Sequence, residues 1–228
     1  MQSVESFYDQ LSSRYTDLIS RCVPRYNEMF YNIFHYIPDD LQPRNILDLG
    51  CGTGNLTEAA LQHFPDAQIH ALDLSADILN ECRLRFKDHD NISYHQQDFN
   101  DLDFPAQSFD LVISSIAIHH IADSQKADLY KKIFRMLKPG GVFVFADQTR
   151  GITEEIYEKH ISRWKNEALK LGSTEADWEM WMEHQDAHDY HTPVICHLKE
   201  LETAGFDAVD VIWKNIMWAI LWAQKTTD

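Results

Sequence analysis

The chain has only four cysteines, Cys22, Cys51, Cys82 and Cys196, and no two stand at a paired spacing. Their scatter argues against a disulfide framework or a zinc knuckle and suits a reducing, cytoplasmic setting. No apolar run approaches the roughly 20 residues needed to cross a bilayer, so no membrane span is expected. Residues 1–15 are polar and carry acids, and read neither as a signal peptide nor as a transit peptide. Bases are scarce, 20 Lys and Arg against 36 Asp and Glu, for a formal charge of -16. Such a surface repels a polyanion at long range; it argues against a nucleic-acid partner without excluding a local basic patch. No internal repeat or low-complexity segment is visible.

What is present is an ordinary globular composition, 44% hydrophobic and 12% aromatic over 228 residues, which predicts one domain, monomeric or homodimeric. Residues 3–37 place Phe7, Leu11, Tyr15, Leu18, Tyr26, Phe30, Ile33 and Phe34 at helical spacing, with Pro24 expected to divide the stretch into two helices. Residues 45–49 read as a buried strand. Helical and strand signals then alternate: helix 55–64, strand 68–72, helix 76–87, strand 92–95, strand 109–115, helix 124–137, strand 142–146. That rhythm implies crossover units and a mostly parallel sheet covered on both faces. After Asp147 come two amphipathic helices, 152–171 and 174–188, and a third opened by Pro193 and ending near Gly205. Two last strands, 208–213 and 216–223, flank a turn expected at Lys214-Asn215, so the sheet ends antiparallel. The division is N-terminal lid helices at 1–40, a core at 45–147, a helical insertion at 152–192, and a C-terminal helix and hairpin at 193–228.

The segment Leu47-Asp48-Leu49-Gly50-Cys51-Gly52-Thr53-Gly54-Asn55 runs a strand into three alternating glycines and then a helix. A glycine-rich loop alone is weak evidence, and this one is not the dinucleotide fingerprint G-x-G-x-x-G. Asp48 lies in the loop's approach, where a carboxylate would repel a pyrophosphate but could hold an ammonium group. Asp73 ends the next strand and could accept hydrogen bonds from ribose hydroxyls. Asp98 follows the third strand and could accept from an exocyclic adenine amine while Phe99 packs on the ring. Singly, each acid is as well explained by a helix cap or a surface charge.

Taken in order, residues 46–54, Ala71-Leu72-Asp73-Leu74, Gln97-Asp98-Phe99, 109–120 and 137–141 resemble the motifs of class I S-adenosylmethionine-dependent methyltransferases, in a type 11/12/25-like, small-molecule branch. The resemblance covers about residues 45–147 and implies a Rossmann-like α/β fold, with a seven-stranded, mostly parallel sheet and an antiparallel C-terminal strand. It implies S-adenosylmethionine as cofactor and S-adenosylhomocysteine as product. By the same resemblance Tyr15, Asp48, Gly50, Cys51, Gly52 and Gly54 would meet the methionine end. Asp73 and Leu74 would meet the ribose, Asp98 and Phe99 the adenine, and Ser114 and His119 would lie nearby. The chain lacks the Asn-Pro-Pro-Tyr segment of the amino methyltransferases acting on adenine or glutamine.

Methyl transfer from a sulfonium is an in-line displacement with a neutral leaving thioether, so positioning and desolvation dominate and a base matters only for a protonated acceptor. His120, after the fourth strand, is the candidate base or acceptor contact. Asp147, ending the fifth strand, is expected at the pocket mouth. Tyr8, Arg14 and Tyr15 resemble an N-terminal lid. The segment 178–191, Trp-Glu-Met-Trp-Met-Glu-His-Gln-Asp-Ala-His-Asp-Tyr-His, carries no Lys or Arg and puts His184 and His188 on one helical face. Three readings of it stand in order: a wet amphipathic lid helix, an aromatic, acid-bearing pocket for a cationic or amine acceptor, and a metal site of His184, His188, His191 and a carboxylate. The preferred assignment has no metal and lines the acceptor pocket with Tyr8, Trp181, His184 and His188. The expected reaction is methylation of a small molecule at N, O or S. Two rivals are an RNA methyltransferase, by similarity to proteins related to tRNA wobble-uridine modification enzymes, and a non-catalytic cofactor-binding regulator.

Overall fold

The computed structural model describes residues 4–11 and 15–226. Three helices open the chain, α1 (Val4–Leu11), α2 (Tyr15–Cys22) and α3 (Tyr26–His35). Pro24 separates α2 from α3 as expected, whereas Arg14 lies outside the described residues. An alternating core follows: β1 (Asn45–Leu49), α4 (Asn55–His63), β2 (Gln68–Asp73), α5 (Ala76–Arg85), β3 (Ile92–Gln96), β4 (Phe109–Ser115), α6 (Asp123–Met136) and β5 (Leu137–Arg150). The chain finishes with α7 (Glu154–Lys170), α8 (Glu175–His188), β6 (Thr192–Pro193), α9 (Val194–Ala204), β7 (Ala208–Asn215) and β8 (Trp218–Gln224). No described helix is long and apolar enough to cross a membrane.

The main sheet runs β3-β2-β1-β4-β5-β8-β7, and β6 pairs off this path with the end of β5, making eight strands where seven were expected. Strands β1 to β5 are parallel, and β8 runs against both of its neighbours. Side chains of β1, β4 and β5 alternate between two cores. Ile46, Leu111, Ile113 and Val144 face the helices α1–α5, α7 and α8, while Leu47, Val112, Phe143 and Phe145 face α6 and α9. Strands buried on both faces read as continuous apolar runs, which is what residues 111–113 and 142–146 show. The order reverses between β1 and β4, so a crevice opens outside their carboxyl ends, where open α/β sheets bind ligands.

Two local readings shift. The fifth strand runs past Ala146 to Arg150, because β8 pairs with it from Val142 to Gln148. The hairpin turn falls at Ile216-Met217 rather than Lys214-Asn215. That turn is apolar and buried, with Ile216 at φ 55, and it is held because the backbone N–H and hydroxyl of Thr149 both donate to the Met217 carbonyl, at 2.7 and 2.8 Å. Polar-turn chemistry cannot signal a turn that faces inward.

Candidate active site

The loop after β1 turns under the crevice because Gly50 and Cys51 both donate backbone N–H to the Leu72 carbonyl at 2.8 and 2.9 Å. Gly50 adopts φ 69, and a Cβ there would stand 2.4 Å from that of Ala117, so the loop packs directly on the segment after β4. Gly54 adopts φ 89 as it enters α4, and a Cβ would meet the Phe86 ring at 2.4 Å. Both positions need glycine for conformation and for space. Ile116, a β-branched residue, takes φ 54 between Ser115 and Ala117, a costly conformation of the kind that clusters at functional sites.

These turns enclose a cavity of about 340 Å³. Gly50, Cys51, Gly52, Asp73, Leu74, Asp98 and Phe99, all expected at the cofactor, line it together with Tyr8, Tyr15 and His120. Asp73 accepts the Gly52 N–H at 2.9 Å and the Ser75 N–H at 3.0 Å, which ties the loop to the end of β2. Asp98 accepts from the backbone and side-chain amides of Asn100 at 2.7 and 2.8 Å, holding its carboxyl at the cavity beside Phe99. Tyr26, Asn55, Ile116 and Tyr190 also line it and were not singled out from sequence; they come from four separate segments with no shared spacing.

Other expected contacts lie elsewhere. Asp48 is fully buried beneath the loop, where it accepts the Thr57 hydroxyl at 2.6 Å. Burial pushes its pKa up to about 7, against the Thr57 bond and with help from the Asp73 charge. Ser114 points away from the cavity and donates to the Leu49 carbonyl at 2.7 Å; its neighbour Ser115 is the residue that lines. Asp147, expected at the mouth, is buried inside the lengthened β5. It holds His119 Nδ1 at 2.6 Å and accepts the His119 backbone N–H at 2.9 Å. His119 is therefore turned from the main cavity into the core. Burial disfavours charge on His119, yet Asp147 and Asp189 outweigh it and raise its pKa.

Trp181 and His184, expected in the acceptor pocket, line a separate chamber of about 20 Å³ behind Tyr8 and Ile116, because α8 turns that face inward under α1. His188 lines neither cavity; its ring sits 5.1 Å from that of His184. At the chamber's rim is Asp189, which sequence reasoning passed over within the histidine-rich segment. Its carboxylate stands 3.0 Å from His120 Nδ1, 3.7 Å from His119 Nε2, 3.7 Å from His184 Nε2 and 3.5 Å from His191 Nε2. These imidazoles hold the Asp189 pKa far below the usual carboxylate range, despite its burial. Burial lowers the pKa of His120 and His191, and pushes that of His184 down to about 3. His120 spans the two spaces: its Nε2 shares a hydrogen with the Tyr8 hydroxyl at 2.9 Å, beside the main cavity. Burial raises the Tyr8 pKa well above its ordinary value, so that hydroxyl stays protonated.

A three-layer α/β sheet with its cavity at the reversal point, lined by a glycine loop and two strand-end acids, defines a nucleotide-type cofactor site of the class I kind. The comparisons agree: a family model described as a methyltransferase domain matches residues 46–141. A biotin biosynthesis bifunctional protein of Teredinibacter turnerae is 30% identical over 73% of this chain, which spans about a third (32%) of that protein. A carboxy-S-adenosyl-L-methionine synthase of Helicobacter pylori is 25% identical over 96% of this chain and 94% of its own length. Among solved structures, a phosphoethanolamine N-methyltransferase of Haemonchus contortus, in complex with S-adenosylhomocysteine, superposes with a TM-score of 0.68 at 18% identity, over 99% of this chain and 61% of its own. Residues 46–141 form a methyltransferase domain, set in the fold of the class I S-adenosylmethionine-dependent enzymes.

Proposed function

We propose that the protein moves a methyl group from S-adenosylmethionine to a nitrogen, oxygen or sulfur atom of a small molecule. One observation carries this reading: the cofactor-motif residues and the Tyr8–His120 pair line the same cavity. Its donor set fits the cofactor. Gly52 leaves open backbone toward Tyr15, Asp73 and Asp98 supply acceptors for ribose hydroxyls and an adenine amine, and Leu74 with Phe99 supplies apolar surface. When bound, the cofactor supplies an electrophilic methyl on a sulfonium.

The chain's own work is then to position the acceptor and exclude water. Tyr8, Tyr15 and Tyr26 wall the cavity with aromatic surface suited to a partly apolar or cationic acceptor. His120 Nε2 and the Tyr8 hydroxyl form the polar contact on that wall. Which of the two donates depends on the ring nitrogen of His120 that holds its proton, and so on what faces Nδ1. If the acceptor arrives protonated and His120 Nε2 is free of a proton, this pair is where the acceptor's proton goes. Asp147 and His119 do not line the cavity and are bonded to one another instead.

The test is transfer of label from methyl-labelled S-adenosylmethionine into a cell extract fractionated into small molecules, RNA and protein. Label among small molecules is the expected result, and replacement of His120 by Ala should lower it tenfold or more with cofactor affinity unchanged. Label confined to RNA, or a cofactor pool converted to a heavier species without transfer, would overturn the acceptor class.

A further inference from the structure

Four histidines converge on one buried carboxylate behind the cavity wall, and the hydrogen bonds there do not close. The His120 Nδ1 to Asp189 Oδ1 approach is 3.0 Å, yet neither atom has a hydrogen-bond partner of acceptable geometry. His191 Nε2 and both ring nitrogens of His184 are likewise buried without one. The side chains concerned are only 2–4% exposed for Asp189, His184 and His191. Buried polar atoms are nearly always paired, so a cluster of orphans around one carboxylate indicates a missing partner.

We propose that His119, His120 and Asp189, flanked by His191 and His184, bind a divalent first-row transition metal ion such as zinc or ferrous iron. One ligand atom from each of the first three lies within 4.8 Å of the others. Ligands about 2.1 Å from one metal stand about 3.0–3.4 Å apart in octahedral or tetrahedral geometry. Asp189 Oδ1 stands 3.0 Å from His120 Nδ1 and its Oδ2 3.7 Å from His119 Nε2, so side-chain rotations that draw one atom of each residue together would complete the sphere. Two imidazoles and one carboxylate are a donor set for zinc or iron, with positions left over for His191, His184 or water.

The surrounding contacts are those of a metal centre. His119 gives its Nδ1 to Asp147 at 2.6 Å, which leaves Nε2 to face Asp189. His191 gives its Nδ1 to the Tyr157 hydroxyl at 2.6 Å, which turns its Nε2 the same way. A carboxylate or hydroxyl on the outer nitrogen is the usual means of fixing the tautomer of a ligating imidazole. A metal on His120 Nδ1 would also settle the shared proton: Nε2 would carry it and donate to Tyr8, so that pair would orient the acceptor instead of deprotonating it. This last step rests on the proposed methyl transfer; the metal site does not.

The experiment uses the full chain with any affinity tag removed. Purified protein is assayed for metal by mass spectrometry, then stripped with chelator and titrated with Co²⁺, read by its visible ligand-field bands, and with Zn²⁺ against a chromophoric chelator. Expected are about one equivalent of metal per chain, Co²⁺ bands on loading, and a rise in melting temperature with Zn²⁺. Asp189→Ala should weaken Zn²⁺ at least 100-fold, and Asp147→Asn by about 10–100-fold through His119. Circular dichroism and S-adenosylmethionine binding verify that each variant folds. Wild-type protein that is folded, binds S-adenosylmethionine, and takes up no stoichiometric metal would overturn the site while sparing the methyltransferase reading. Undiminished Zn²⁺ affinity in Asp189→Ala would overturn it equally. Metal bound without cofactor affinity would sink the function and leave the metal centre standing.

Discussion

Two acids that look alike in the sequence do different work. Asp73 lines the cavity and anchors the Gly52 amide, so Asp73→Ala should weaken S-adenosylmethionine binding more than tenfold, about 1.4 kcal/mol, by isothermal titration. Unchanged affinity would remove it from the cofactor site. Asp48 is sealed under the loop with one oxygen on Thr57 and the other unpartnered. Its pKa in the folded chain, about 7, lies above the ordinary 3.8, so the native state holds that proton longer than the unfolded chain does. Stability is lost as pH rises between these two values and the whole cost is present above pH 7. Asp48→Asn, which keeps an acceptor for Thr57, should match the wild type in urea denaturation near pH 4 and exceed it by up to about 4 kcal/mol at pH 8. A difference that stays flat across that range would show Asp48 titrating normally.

At the scale of elements, the loop and the core strands could be read directly, because glycine spacing and doubly buried strands leave local marks at residues 50–54 and 109–115. The cluster at Asp189 left none. His119 and Asp189 are brought together only because α8 ends at His188 and β6 then pairs Thr149 with Thr192, returning the chain to the carboxyl end of β4. That return is pinned by Lys126 of α6, buried at 2% exposure, whose ammonium donates to the Tyr190 carbonyl and to the Thr192 hydroxyl. A lysine in a helix reads as surface charge, so sequence periodicity hides this. Asp147 was misplaced for a related reason: nothing local announces that β8 extends β5 beyond Ala146. Lys126→Met should cost about 2–4 kcal/mol in urea denaturation, through the polar groups it leaves unpaired, and should speed amide exchange at residues 189–193. A cost below about 0.5 kcal/mol with unchanged exchange would show the return to be held by packing alone.

For the whole molecule the deciding quantity is where the bases go. Only 20 Lys and Arg face 36 acids, and more than half of them are already within salt-bridge distance of a carboxylate, among them Arg21, Arg85, Arg135, Lys138 and Arg150. Exposed pairs of this kind add little stability, but they neutralise the cations that a phosphate backbone would need. Among the described residues no Lys or Arg lines the main cavity, so an anionic acceptor would meet no cation from them within it. Fluorescence-anisotropy titration with bulk tRNA should accordingly show binding weaker than about 100 μM at 0.15 M salt, and a log–log salt slope near zero. A protein that gathers five or six phosphates instead gives a slope near -5 for a duplex and loses orders of magnitude in affinity between 0.05 and 0.2 M salt. Such a slope here would mean that a basic patch assembles on binding, and it would return RNA to first place among the acceptors while leaving the cofactor cavity as described.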